Sequence, residues 1–143
     1  GDSRAYILRA ERLVQVTRDQ SLVNQLIEAG QLTEEEAETF EHANIILQAL
    51  GTADSVQVDL THVPLCHGDT LLLCSDGLTT MLSDPEIFER LRAGARMEEI
   101  CGRLVRDANA RGGFDNISVL LLRIESDADP DSDEDTAAGV DIA

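Results

Sequence analysis

Tryptophan is absent from this chain, and Phe and Tyr together make up only 3% of it, so any core must be aliphatic. Basic residues are scarce: 11 Lys plus Arg stand against 28 Asp plus Glu, for a net charge of −17. That balance argues against nucleic acid as a partner, because phosphate backbones are held by basic patches, and against an anionic membrane surface. Cysteine is limited to Cys66, Cys74 and Cys101, an odd number with no CxxC pair. Buried, reduced thiols and a cytoplasmic setting are the expectation. No apolar run reaches membrane-spanning length and no signal-peptide pattern is present. Residue 1 is Gly rather than Met, so the chain is expected to begin inside a longer product, through processing or as a fragment.

What is present suits one domain with a modest core: 143 residues, 43% hydrophobic and 27% charged. Much of the charge is local. Residues 126–143 hold seven acids and no base, leaving 21 acids against 11 bases elsewhere. This tail has no apolar periodicity and is expected to be disordered. Its alternating Asp127, Asp129, Asp131 and Asp133 resemble a calcium loop, but Ser132 replaces the required Gly and Ala138 the final Glu.

The apolar run Thr70–Cys74 reads as a buried strand that ends on Ser75-Asp76-Gly77. Asp76 then stands at the strand exit, and Gly77 permits a sharp turn or the close approach of another group. Strands are also expected over Ala5–Leu8 and Leu13–Val16, joined by a hairpin at Ala10-Glu11, over Val56–Leu60 from its alternation, and over Ile117–Ile124. Helices are expected from Leu22 to Gly30, from the capping box Thr33–Glu36 through Phe40, from the capping box Ser83–Glu86, and along Met97–Ala108, where apolar residues recur at i, i+3, i+4 and i+7. Asn44–Leu50 is apolar and ambiguous. His42, His62 and His67 lack ligand spacing and read as surface residues.

The fold class is therefore α+β. Asp2 and Asp115 precede strands and Asp76 follows one, so the three can share one sheet edge if these strands are antiparallel neighbours. Converging carboxylates suit Mg²⁺ or Mn²⁺, which prefer oxygen ligands. Spacing alone leaves a second reading open, in which all three are turn aspartates followed by Ser, Gly or Asn.

Taken together, Gly1-Asp2-Ser3-Arg4-Ala5-Tyr6, Gly68-Asp69 with Leu72–Leu78, and Gly112-Gly113-Phe114-Asp115-Asn116-Ile117-Ser118-Val119 resemble the C-terminal part of the bacterial-type PP2C metal-dependent serine/threonine phosphatases. Val14–Ser21 fits too, with Asp19-Gln20-Ser21 where that branch has Asp-His-Ser. The resemblance covers residues 1 to about 124. It implies part of an α-β-β-α sandwich of antiparallel sheets flanked by helices, with residues 1–125 as catalytic-domain portion and 126–143 as acidic tail.

It implies two Mn²⁺ or Mg²⁺ ions and a third, weaker one. Asp76 and Asp115 would be ligands of the second ion, Asp2 with Asp76 of the third, and Gly77 and Asn116 supporting residues. The implied reaction is hydrolysis of phosphoserine and phosphothreonine in protein substrates by a metal-activated water, opposite a cognate kinase. Residues around Gln20–Phe40 would form a flap beside the site. The family's Asp-Gly-x-Gly-Gly motif, whose Asp bridges the two principal ions, is absent here, as is its phosphate-binding Arg. No residue of this chain is accordingly assigned as catalytic, and the chain alone is expected to be inactive. Two other readings stand beside this one. A non-catalytic, phosphatase-like regulatory piece is one. The other is a GDSL-type esterase with Ser3 as nucleophile and His62 as base.

Overall fold

The computed structural model describes residues 1–37, 39–40 and 45–125. His42, Asn44 and the acidic tail lie outside these. The strands are β1 (Arg4–Arg9), β2 (Arg12–Gln15), β3 (Thr70–Cys74) and β4 (Val119–Arg123). They form one antiparallel sheet in the order β2-β1-β3-β4. The helices are α1 (Leu22–Glu28), α2 (Glu34–Ala37), α3 (Asp76–Thr79), α4 (Asp84–Leu91) and α5 (Met97–Ala110). The α+β class is as expected.

The β1–β2 hairpin turns on Ala10 and Glu11, both at positive φ (44° and 64°), as a two-residue connection with the strands' twist requires. Ser21 caps α1 by accepting from the Asn24 N–H, and Gly30 leaves the helix at φ 68°. Thr33 and Glu36 form the reciprocal capping box of α2, at 2.9 and 3.2 Å. At α4 the Glu86 carboxylate accepts from the Ser83 N–H (3.1 Å), and Pro85 sits in the first turn.

The core lies between one sheet face and helices α3 to α5. Tyr6, Leu72 and Cys74 from the sheet meet Leu78, Leu82, Ile87, Leu91, Ile100, Leu104 and Ala108. Leu72, Leu78 and Leu104 are wholly buried, each contributing about 1.5–3 kcal/mol. The opposite face carries Ala5, Ile7, Leu71, Leu73, Leu120 and Leu122 by register. Leu73, Leu120 and Leu122 are 38–49% exposed there. The second sheet of the expected sandwich is not found among the described residues.

Four expectations are corrected. Val56–Leu60 is not a strand; Val58 and Leu60 are exposed, and Gln57 and Asp59 bond to the Gln48 and Gln20 side chains rather than to a strand. Alternation needs a neighbouring strand to pair with. The last strand begins only at Val119, because Ser118 is bonded to Ser75 across the strand exit. Helix α2 ends at Ala37, with the Phe40 N–H bonded to the Ala37 carbonyl in a turn. Cys66 is exposed, in a turn where its N–H donates to Asp69; Cys74 is buried, Cys101 partly so, and all three are free thiols.

Candidate metal centre

The strand register decides where the three aspartates go. Arg4 faces Cys74, and Cys74 faces Val119. Two residues beyond the pairing, Asp2 comes level with Asp76, and Asp115 lies in the loop that leads into β4. All three are therefore delivered to one end of the sheet. The nearness of Asp2 and Asp76 has an electrostatic signature. The Asp2 carboxyl is raised above its ordinary value, first by burial and then by the Asp76 charge, with a smaller push from Asp19.

Asp76 opens α3 rather than a simple turn, and its Oδ1 accepts from the Gly77 N–H at 2.9 Å. Gly77 is required by close approach, not by φ. A Cβ there would lie 2.5 Å from the Asn116 carbonyl oxygen and 3.3 Å from that of Asp115. The Asp115 segment is thus packed directly against the start of α3. Ser75 holds it there: its hydroxyl donates to the Asn116 carbonyl (2.8 Å) and accepts from the Ser118 N–H (3.0 Å), while its own N–H donates to the Ser118 carbonyl (3.1 Å). Asp115 Oδ1 accepts from the Asn116 N–H at 2.6 Å.

Sequence reasoning missed Ser75 as this clamp. The only sign was a serine on each side of the junction, at 75 and 118. It also missed a polar network beside Asp2. Arg4 makes a forked contact to Asp19 (2.7–3.1 Å) and donates to the Tyr6 hydroxyl (3.0 Å), which donates to Asp84 (3.0 Å). Gln15 adds a further bond to Asp19 (3.1 Å). The sequence has no lysine, so all 11 of its Lys-or-Arg positions are arginine, the residue whose planar fork suits such two-point pairing. The network ties the segment leading into α1 to β1, two residues from Asp2.

Cys74 is not a reactive neighbour of the site, since burial pushes its thiol up to about 11. No hydrogen bond joins Ser3 to His62 among the described residues, and His62 is exposed, so the esterase pair is not assembled. His67 is exposed as expected. Among the described residues, no group of three or more His, Cys, Asp or Glu side chains is arranged to hold a metal ion. The donor set nevertheless fits a hard cation in part: the carboxylates supply only oxygen, and the Asp76 charge raises the cost of ionising Asp2, which a cation would relieve.

Residues 13–125 match the family described as Stage II sporulation protein E (SpoIIE). The chain belongs to the SpoIIE/PP2C-type phosphatase family. It is 48% identical over 130 residues to protein phosphatase PhpP of Streptococcus pneumoniae, covering 90% of this chain and 53% of that protein. It superposes on the S. agalactiae serine/threonine phosphatase with a TM-score of 0.81 at 45% identity, over 87% of this chain and 52% of that one. It superposes on the catalytic domain of the serine/threonine phosphatase PstP, in complex with two manganese ions, with a TM-score of 0.76 at 38% identity, over 88% and 51%. The chain thus spans about half the length of the relatives it matches. No helix among the described residues is long and apolar enough to cross a membrane.

Proposed function

We propose that residues 1–125 are part of a PP2C-type catalytic domain, with 126–143 as an acidic extension, and that the complete protein is a metal-dependent phosphatase of phosphoserine and phosphothreonine in proteins. The observation that carries this reading is the register that brings Asp2, Asp76 and the Asp115 loop to one sheet end. Asp76 and Asp115 would hold one Mn²⁺ or Mg²⁺, and Asp2 with Asp76 a weaker one. Such ions, when bound as a pair, supply Lewis-acid polarisation of the phosphoryl group and a nucleophilic water at neutral pH. The chain's own part is positional. Ser75 pins the Asp115 loop, Gly77 admits the Asn116 carbonyl, and Arg4 keeps Asp19 paired beside Asp2. The free thiols support a reducing, cytoplasmic setting, and the activity calls for a cognate kinase.

The reading that this chain by itself is non-catalytic has one observation in its favour, the lack of a three-ligand group among the described residues. Both are tested with p-nitrophenyl phosphate and a phosphothreonine peptide in Mn²⁺, using this chain, the full-length protein, and its Asp76→Asn variant. The full-length protein turns over only with metal, and this chain is close to inactive. Asp76→Asn lowers turnover by at least about a hundredfold, beyond the roughly 10–100-fold typical of groups that merely orient ligands. Robust turnover by this chain would overturn the partial-site reading, and full activity of Asp76→Asn the ligand assignment.

A further inference from the structure

The loop that carries Asp115 is held a second time, at a point the metal-centre reading does not use. Residues 111–118 join α5 to β4, and Ser75, just before α3, clamps their far end. At their near end, Arg111 Nη1 donates to the Met81 carbonyl (2.9 Å) and to one Glu86 carboxylate oxygen (2.7 Å), while Nη2 donates to the other. Met81 lies two residues past α3. The loop is therefore fastened on both sides of the helix that Asp76 opens. Between the two holds, Gly77 admits the Asn116 carbonyl.

The anchor that Arg111 grips is itself fixed. Glu86 also accepts from the Ser83 N–H (3.1 Å) and hydroxyl (3.0 Å), so the capping box of α4 sets the place of this carboxylate. Between Arg111 and Asp115 the chain has little stiffness of its own. Gly112 and Gly113 both stand at positive φ (128° and 53°), and glycine restricts its backbone less than any other residue. The place of Asp115 relative to Asp76 is thus decided by the holds at the two ends of the loop.

Neither hold is needed to build the elements it joins. Helix α5 is closed by its own backbone, with the Arg111 and Gly112 N–H groups bonded to the Ala108 and Asn109 carbonyls (3.2 and 3.0 Å). The β3–β4 ladder runs from Thr70 to Cys74 without Ser75. What the two side chains add is a fixed spacing between the start of α3 and the Asp115 loop.

We propose that Arg111, gripping Glu86 and Met81, forms with Ser75 a two-sided clasp that sets the spacing of Asp76 and Asp115, and that both are positioning residues for the ion these carboxylates hold. The proposal rests on the ligand assignment above. Mg²⁺ demands near-ideal octahedral geometry, whereas Ca²⁺ accepts longer and more varied oxygen contacts, so a loosened clasp weakens Mg²⁺ more than Ca²⁺. The test uses the full-length protein without substrate. Mn²⁺ binding is followed by electron paramagnetic resonance, and Mg²⁺ and Ca²⁺ are each titrated against it. Ser75→Ala weakens Mg²⁺ by about tenfold, the lower end of the range for groups that orient ligands, and Ser75→Thr, which keeps the hydroxyl, restores it. Arg111→Met weakens Mg²⁺ by about threefold, in keeping with an ion pair whose side chains are 45% and 33% exposed. Ca²⁺ shifts by less than about twofold in either variant. A purely structural role lowers the metal-free thermal midpoint and weakens both ions alike. Unchanged Mg²⁺ affinity in either variant, or an equal loss for the two ions, overturns the clasp. If Ser75→Ala does not fold, Arg111→Met at the surface decides by the same ratio. A wild-type protein that binds no ion overturns the ligand assignment and the clasp with it. Wild-type protein that binds Mn²⁺ but hydrolyses neither p-nitrophenyl phosphate nor a phosphothreonine peptide overturns the phosphatase reading alone, and the binding ratios still decide on the clasp.

Discussion

The two faces of the sheet are made from alternate residues of the same strands, yet they end in different environments. Leu72 points into the helix-covered core and is fully buried, whereas Leu73, next to it, is 38% exposed. Leu121 packs on the core, while Leu120 and Leu122 are nearly half exposed. Both faces are leucine-rich, so composition does not separate them. The difference is that α3, α4 and α5 are sequence-local cover for one face. The other is buried at Ala5 and Ile7 but open at Leu73, Leu120 and Leu122, without comparable cover there among the described residues.

The sharpest way to break this comparison is a pair of truncations. Leu72→Ala should cost about 2–5 kcal/mol, as core leucines do, and Leu73→Ala about 1 kcal/mol, near the average for any substitution. Urea midpoints measure both. Equal costs in this chain would show that the second face is covered after all.

A smaller effect distinguishes the sheet's far end from its metal end. Asp69 is buried, receives Arg9 at 2.6 and 2.8 Å, and accepts the Cys66 N–H at 2.8 Å. The Arg9 contact holds its carboxyl below the ordinary value of 3.8, against burial and with help from Cys66. A depressed carboxyl stabilises the fold above its ordinary value, and that contribution is lost as pH falls through the folded one. Glu86, pushed down to about 2 chiefly by Arg111, acts in the same direction between its ordinary 4.5 and that value. Asp69→Asn should cost about 1–3 kcal/mol at pH 7 and flatten the acid limb of stability below pH 3.8. Thermal unfolding across pH checks both, and an unchanged acid limb would remove Asp69 from the account.

The smallest expected change is a gain. Glu11 sits at φ 64° without being glycine. Glu11→Gly relieves left-handed strain of about 1–2 kcal/mol against a glycine penalty of about 0.5–1, for a net gain of roughly half a kcal/mol. Its exposed contact to Arg92 at 3.5 Å is worth little. A lowered midpoint would show that the turn is not strained.

Much of this protein was legible residue by residue because the signals were local. The capping boxes at Thr33 and Ser83 start α2 and α4, Gly30 follows α1, and the strand Thr70–Cys74 has the bounds its apolar run implies. The order of aspartates and strands allowed three carboxylates at one sheet end or three separate turns, and the antiparallel order β1-β3-β4, which the sequence does not encode locally, is what brings Asp2, Asp76 and the Asp115 loop to the same end. Other features required the third dimension. Alternation at Val56–Leu60 said strand, but a strand exists only where a neighbour offers its backbone, and there none does among the described residues. Gly77 read equally as a turn or a close approach until the Asn116 carbonyl was found against it. Ser75, the Arg4–Asp19 fork and the Gln20–Asp59 bond join residues from 15 to 43 positions apart. Such contacts are set by how the sheet, α3 and the connecting segments pack, and no local pattern of residues encodes them.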